Sequence, residues 1–390
     1  MRQYHFLKAS LRRVSDECRK NPVQVLTAAL LVLSLYVGTV MLFFGMNFWL
    51  WSFTPGIKRS YSVMFIASLS WCILFIFTVF IHWLYNWFWN RKVENYFFWV
   101  NRRGVLLLFL IGAFDSLTGL TASYSSIHVP QILQSALIST GPIWTFILAY
   151  FFFPSSQPKF NLFLLIVPIF IIGGVVFATI PQVLDKSGKN SYFHLPWILI
   201  YLLGTALFPL YNVIQGRFSH EFKDHASSLT CKLVMLCGET TIQFILCIMY
   251  FPIDFSPFFG KCTYPKESWD NFIESLSCIY TCKNNAIYML IYVMGFYIRH
   301  IVFAYLNSYS PSVAAITSML TQPINAFLLL VIPSWNVYGS KKDWRCILGS
   351  FLCLLIAMLT FMLWHITFKT LSNESYGDDE DIEDEKNEAK

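Results

Sequence analysis

The amino-acid sequence predicts an all-α integral membrane protein with ten transmembrane helices, arranged as two inverted five-helix repeats. Of its 390 residues, 56% are hydrophobic and only 13% are charged, whereas an average soluble domain has about 25% charged residues. The chain also contains apolar runs of about 20 residues, the length that a helix needs to cross roughly 30 Å of hydrocarbon. The ten runs lie near residues 22–47, 61–85, 103–123, 130–153, 160–181, 194–215, 228–251, 286–307, 312–333 and 344–368.

An internal repeat supplies the third observation, because residues 123–154 align without a gap on residues 304–335. The matches at this offset of 181 positions are Tyr124 with Tyr305, Pro130 with Pro311, Thr140 with Thr321, Pro142 with Pro323, Ile143 with Ile324, Phe146 with Phe327 and Leu148 with Leu329. The first copy covers segments three and four, and the second covers segments eight and nine. Each half therefore holds five helices, and an odd number inverts the second half in the membrane, as in many secondary transporters. The predicted repeats are 22–181 and 194–368.

Both termini are expected in the cytosol. Residues 1–21 form a basic segment, and the Lys and Arg residues of the short loops favour the same side. This segment is either a short helix on the anionic leaflet or a solvated basic tail. The first apolar run is too long for a signal-peptide core, so we expect it to act as a signal anchor.

The C-terminal residues 369–390 predict a disordered cytosolic tail. From Glu374 onward the chain has nine acidic residues and two lysines. Such a block repels itself and has little apolar surface to bury.

The segment between helices seven and eight, residues 252–285, is too long for a simple connector. It contains Cys262, Cys278 and Cys282. In the expected orientation it faces the lumen or the exterior, where disulfides persist. We predict one disulfide, joining Cys262 to either Cys278 or Cys282. We predict no metal site, since a structural zinc site wants four ligands and the segment has no histidine.

Four ionisable residues fall at mid-membrane depth: Asp115, Glu239, Arg299 and His300. Such a side chain costs about 2.5–3.5 kcal/mol on insertion scales, so it usually faces a cavity or a partner. We expect Asp115, Glu239 and His300 to take part in proton coupling. A structural, hydrogen-bonded role is the alternative, and for His300 it is the simpler one.

Asp115 and Arg299 lie on helices three and eight, which are symmetry mates in the predicted repeat. The two side chains could form a buried ion pair that stabilises one conformational state. Alternatively, Arg299 could bind a carboxylate of the substrate.

A set of polar residues on helices three, four, eight and nine is predicted to line the same substrate cavity. The members of this set near Pro142 and Pro323 either bind substrate or satisfy backbone groups that the prolines leave free at a packing kink. With Asp115 and Arg299, the set is Tyr124, Gln131, Gln134, Thr140, Tyr305, Thr321, Gln322 and Asn325.

Several classes of function lack support in the sequence. It has no phosphate-binding glycine loop, HExxH or GxSxG motif, so we expect neither an enzyme nor a cofactor. Nucleic acid is not an expected partner. The expected partners are the bilayer, a small solute and protons, and we expect the protein to be a monomer or a homodimer. A channel would want a ring of charges, which is not evident. A nucleotide-sugar or other metabolite exchanger remains the main alternative.

Three motifs together resemble the chloroquine resistance transporter family, within the drug/metabolite transporter superfamily. They are Phe114-Asp115-Ser116 followed by Gln131, Gln134 and Pro142; the proline-rich segment Pro252 to Cys282 with Trp269 and Asn271; and Thr321-Gln322-Pro323. The family's loop usually offers four cysteines in two pairs, whereas this loop offers three.

The resemblance implies a ten-helix, proton-coupled carrier. It would export small solutes, such as amino acids, peptides, thiols or organic cations, from an acidic vacuole or endolysosome to the cytosol by alternating access. Plastid relatives move thiols such as glutathione.

Overall fold

The computed structural model describes residues 22–54, 59–90, 94–152, 162–184, 195–260, 262, 264–309, 311–338 and 344–360. The basic segment 1–21 and the acidic tail 369–390 lie outside these residues. Over the described ranges the chain is helical and contains no strand.

The helices follow the apolar segments closely. In chain order they are α1 Pro22–Trp51, α2 Ser60–Tyr85, α3 Arg102–Ser125, α4 Gln131–Ile138, α5 Gly141–Phe152, α6 Leu162–Leu184, α7 Leu195–Glu221, α8 Ser228–Met249, α9 Pro265–Thr281, α10 Asn285–Tyr309, α11 Pro311–Val331 and α12 Trp344–Thr360. One π-helical turn, Asn86–Asn90, extends α2.

Six helical stretches in the described part are long and apolar enough to cross a bilayer. They are Ala29–Trp51, Ser60–Trp89, Arg102–Ser125, Leu195–Glu221, Ser228–Phe255 and Asn285–Asn307. Three shorter apolar helices are Ile166–Ile180, Thr321–Val331 and Trp344–Thr360. The chain is therefore an all-helical protein compatible with several passes through a membrane, as the composition predicts.

The predicted fourth segment is not one continuous helix. It divides into α4 and α5 at Ser139 and Thr140, just before Pro142. Pro142 lies in the first turn of α5, where its missing N–H group removes no helix hydrogen bond. Thr140 Oγ1 donates to Leu137 O at 2.7 Å, which satisfies one carbonyl at the break. In the second half, Pro323 lies inside the continuous helix α11.

Helix α9 lies in the segment 252–285, which sequence analysis described only as too long for a simple connector. Pro265 occupies its first turn with Glu267, both favoured at a helix start. Its buried residues recur at helical spacing and form one face: Ser268, Phe272, Ser275, Cys278 and Ile279. The helix packs against α10 and α2 at one end of the molecule.

One disulfide is present in this loop, but the predicted pairing with Cys262 is wrong. The bond joins Cys278 to Cys282, across the end of α9. Residues four apart at a helix end lie close together, and here their Cα atoms are 4.8 Å apart. Sequence analysis did not predict this helix, so it did not predict the proximity of the two cysteines. Cys262 Sγ instead lies 3.7 Å from Gly260 O.

The most extensive helix pairs are α1 with α10, α3 with α7, and α2 with α8. Glycines permit the closest of these approaches. A Cβ atom on Gly38 would lie 2.9 Å from Arg299 N, and one on Gly295 would lie 2.5 Å from Leu42 N. The backbones of α1 and α10 are thus in direct contact beside Arg299.

Replacing Gly295 with alanine is expected to destabilise the protein, because the new methyl group would collide with the backbone of α1. Overpacking of this kind costs about 1–3 kcal/mol. Gly119→Ala is the matched control, since its Cβ would meet Gln243 Nε2 at an ordinary 3.7 Å. Thermal unfolding in detergent should show a lower midpoint for Gly295→Ala alone. Equal midpoints for the two variants would contradict the close α1–α10 contact.

Peptide mapping of the unreduced protein should recover Cys278 and Cys282 as an oxidised pair within one segment, because α9 holds them together. A linkage from either cysteine to Cys262 would contradict this arrangement.

Candidate functional site

A cavity of about 150 Å³ lies at the centre of the helix bundle. Its lining residues come from the middle of α1, α2, α3, α7, α8, α10 and α11 and from the α4–α5 break. Asp115, for example, is in the middle of α3, about 20 Å along a helix that rises 1.5 Å per residue. The cavity therefore lies near mid-membrane depth.

Three of the predicted residues come together at this cavity. His300 Nε2 lies 3.8 Å from Asp115 Oδ1 and 3.9 Å from Glu239 Oε1. All three side chains are buried, with 2%, 5% and 0% exposure respectively. Asp115 and His300 line the cavity, and Glu239 lies behind them. These three residues are called the triad below.

One hydrogen bond orients the ring of His300 and leaves Nε2 facing the two carboxylates at distances beyond a hydrogen bond. Its Nδ1 atom lies 3.0 Å from Phe296 O, and a carbonyl oxygen only accepts, so Nδ1 is assigned the hydrogen. Nε2 then faces two carboxylates. Its lone pair would repel ionised oxygens, so an attractive contact requires a proton on Nε2 or on one carboxylate.

The ring of His300 is held in place by stacking. It lies on Phe296 at a centroid distance of 3.4 Å, and Phe296 stacks on Trp71 at 3.5 Å. Aromatic pairs contribute about 0.5–1.5 kcal/mol beyond their buried area. The stack links α10 to α2 and fixes the direction of Nε2.

Glu239 is anchored by two neutral donors from α7. Tyr211 Oη donates to Glu239 Oε1 at 3.0 Å, and Gln215 Nε2 donates to Glu239 Oε2 at 3.0 Å. Asn307 Nδ2 in turn donates to Gln215 Oε1 at 2.7 Å. Asp115 differs, because its Oδ2 atom is buried and makes no hydrogen bond to any residue that the structure describes. Asp115 is thus the carboxylate whose oxygen is available to the cavity.

Arg299 lines the same cavity, but it does not pair with Asp115 as one hypothesis suggested. None of the ion pairs among the described residues involves Arg299. Its guanidinium carbon lies 4.4 Å from the ring centre of Phe208 and 4.9 Å from that of Phe303. Such cation–π contacts contribute about 0.5–2 kcal/mol each. Its Nε atom is buried without a hydrogen-bond partner.

Two of the other predicted cavity residues, Gln322 and Asn325, line the cavity. Asn325 Nδ2 donates to Gln322 Oε1 at 3.3 Å, and Ser135 Oγ donates to Gln322 O at 3.1 Å. These bonds connect α4 to α11 beside the α4–α5 break.

The remaining predicted residues do not line the central cavity. Gln134 exchanges two amide hydrogen bonds with Asn47, each 3.1 Å long, and Gln131 Oε1 accepts from Val337 N at 2.7 Å. Thr140 and Thr321 donate to carbonyls of their own turns. These four predicted side chains join helices or close turns.

Two tyrosines predicted for the cavity lie toward opposite ends of the bundle. Tyr305 stands under Lys232 Nζ, which is 4.6 Å from its ring centre. Tyr124 donates to Asp254 Oδ1 and lines a separate pocket.

This second pocket is a larger vestibule of about 1150 Å³. It lies at the helix ends that the predicted orientation assigns to the lumen, between α1, α2, α3, the 3₁₀ turn Phe251–Phe255 and the loop before α10. Its charged lining residues are Arg59, Lys283 and Asp254. Sequence analysis did not find this vestibule.

Sequence analysis also missed Tyr211, Gln215, Asn212 and Asn307. Asn212 and Gln215 are three residues apart in the apolar helix α7, and buried polar side chains in a membrane segment require partners. That spacing was the signal that could have identified them.

The triad is also the place in the described chain where a metal ion could be held, because its three ligand atoms lie within 4.8 Å of one another. Both oxygens of Glu239 already accept hydrogen bonds. A proton taken up here would reside on one of the three groups, because the distances of 3.8 and 3.9 Å exceed a hydrogen bond.

Comparisons with known proteins identify the fold but no activity. No family model and no curated protein matches the chain. A solved structure described as "Crystal structure of protein" superposes with a TM-score of 0.50 at 10% sequence identity, covering 85% of this chain and 96% of its own. At that identity the likeness shows a shared fold alone.

Glu239→Gln is expected to lower stability, because the amide nitrogen cannot accept a hydrogen bond and the amide oxygen replaces only one of the two acceptors used by Tyr211 and Gln215. A buried donor left unsatisfied costs about 1–3 kcal/mol. The double variant Glu239→Gln, Gln215→Glu should regain the lost stability, since the new amide at position 239 donates to the new carboxylate at position 215. Thermal unfolding checks both variants. A fully stable single variant would show that the two donors are not needed.

Proposed function

We propose that this protein is a proton-coupled secondary transporter that moves small solutes from an acidic organelle to the cytosol by alternating access. The observation that carries the proposal is the triad on a mid-membrane cavity. Ionisable groups at that depth mark proton relays and substrate pathways in transporters. The triad offers one site for a proton, and the cavity offers an adjacent site for a solute.

The proposal includes ten spans in two inverted repeats, which requires α4–α5, α6, α11 and α12 to cross the membrane as well. The helix contacts support this interpretation. If α1 corresponds to α7 and α3 corresponds to α10, the pair α1–α10 maps onto the pair α7–α3, and both are among the closest pairs. The pair α2–α8 maps onto itself. Such exchange is expected of a pseudo-twofold axis in the membrane plane.

We further propose a distant relationship to the chloroquine resistance transporter family, on the motifs around Asp115, the cysteine-bearing loop and Thr321-Gln322-Pro323. The disulfide Cys278–Cys282 fits an oxidising lumen on the side of that loop. In this orientation both termini lie in the cytosol.

A nucleotide-sugar or other metabolite exchanger is the second candidate. It would want several basic side chains facing the cavity to hold phosphates. Arg299 lines the cavity, whereas Lys232 points back to Ser228 O at 3.3 Å. This favours a substrate with less negative charge. A channel is the third candidate, and the small central cavity supports a carrier instead.

The experiment is counterflow in proteoliposomes with amino acids, peptides, thiols, organic cations and nucleotide sugars. For the solute that exchanges, Asp115→Asn should abolish the dependence of uptake on a pH gradient, because asparagine is nearly isosteric but cannot bind the proton. Asp224→Asn, at an exposed position, is the matched control and should behave as the wild type.

Asp115→Glu should retain some pH dependence, since it keeps the carboxyl group. Correct folding of each variant is checked by comparing its elution in size-exclusion chromatography and its thermal unfolding midpoint with those of the wild type. Unchanged pH-dependent uptake by a folded Asp115→Asn protein would refute proton coupling at the triad.

A further inference from the structure

Arg299 is a permanent charge in the cavity without a carboxylate partner. No hydrogen bond from its guanidinium to another described residue is found, and its Nε atom is buried and unsatisfied. Arg299 is half-buried, and although Asp115 faces it, none of the ion pairs among the described residues includes it. A cation without an ion-pair partner is costly at this depth, yet here the chain places it on the wall of a cavity. The position suggests that its partner arrives with the ligand.

The rings of Phe208 and Phe303 hold the guanidinium without using its donors. Phe208 and Phe303 meet edge to face, with centroids 5.5 Å apart, and the guanidinium lies against both. A cation–π contact engages the face of the guanidinium, so the N–H groups in its plane stay available. A planar fork of donors fits a carboxylate bidentately.

The rest of the cavity favours a solute with a modest apolar part. Apart from the charged groups, its wall includes Leu42, Met46, Trp71 and Tyr292. A volume of about 150 Å³ corresponds to roughly five water molecules, at about 30 Å³ each. That volume suits a molecule the size of one amino acid.

The charged residues of the vestibule also favour an anionic solute. Arg59 and Lys283 line it, and Lys283 is exposed. The acidic group, Asp254, is buried and accepts hydrogen bonds from Tyr124 and Ser268. A cleft lined mainly by one sign of charge concentrates solutes of the opposite sign.

We infer that the transported solute carries a carboxylate, which Arg299 binds bidentately. This inference rests on the proposed function and names the substrate class. It also explains why the proton and the solute would move in the same direction. The charged and titratable groups facing Arg299 are Asp115, His300, Tyr201, Tyr211 and Tyr292, and Glu239 lies behind Asp115 and His300. A second anion entering beside Asp115 and Glu239 is favoured when the triad holds a proton, so proton and carboxylate bind together.

Four probes with one side chain test the inference: leucine, leucinamide, N-acetylleucine and N-acetylleucinamide. They vary the carboxylate and the ammonium group independently, so the effect of each group is measured separately. In wild-type proteoliposomes, both carboxylates should compete for counterflow at least about tenfold better than their carboxamides, a difference equivalent to about 1.4 kcal/mol. This comparison needs no variant.

Arg299→Gln should reduce the preference for the carboxylate to less than about twofold, a change that exceeds what loss of packing alone would cause. Arg217→Gln, at an exposed position on α7, is the matched control and should keep the preference.

Competition by the carboxamides equal to or stronger than that of the carboxylates would overturn the inference while leaving a transporter. Retention of the full preference by a folded Arg299→Gln protein would also overturn it. Absence of counterflow for these four probes, while organic cations exchange, would overturn it as well. Absence of exchange for every solute tested would overturn both the inference and the proposed function.

Discussion

The cost of an ionised side chain in hydrocarbon constrains the centre of this protein. Asp115, Glu239, Arg299 and His300 lie at that depth, and each requires a partner, a proton or water. The structure meets the requirement differently for each group. Glu239 is fixed by Tyr211 and Gln215, and His300 is held by a carbonyl and an aromatic stack. Asp115 and Arg299 keep unsatisfied atoms that face a cavity.

The packing of the helices makes this arrangement possible. Gly38 and Gly295 bring α1 and α10 into backbone contact beside Arg299, and Gly112 brings α3 against α8 next to Glu239. Side chains from α3, α8 and α10 can then meet in one place. Because these contacts are between backbones, the cavity depends on helix positions as much as on its polar residues.

Composition and periodicity were enough to predict a helical membrane protein and to select the ionisable residues, since burial of charge in an apolar segment is visible in the sequence alone. The outcome for Cys262 shows where this reasoning stops. Nothing in the loop marked α9 as a helix except Pro265 and a short apolar periodicity, so the approach of Cys278 to Cys282 was hidden. Gln131, Gln134 and Tyr124 look like cavity residues in sequence, yet they join helices and loops. A polar side chain in an apolar segment can serve either purpose, and tertiary contacts decide which.

The central claim is that a proton on the triad and a solute in the cavity cross the membrane together. The direct measurement is the internal pH of sealed proteoliposomes, followed with an entrapped dye while solute is added outside in the absence of a pH gradient. Coupling through the triad predicts that solute entry acidifies the interior in proportion to the solute taken up. Solute entry with no change in internal pH would contradict the account.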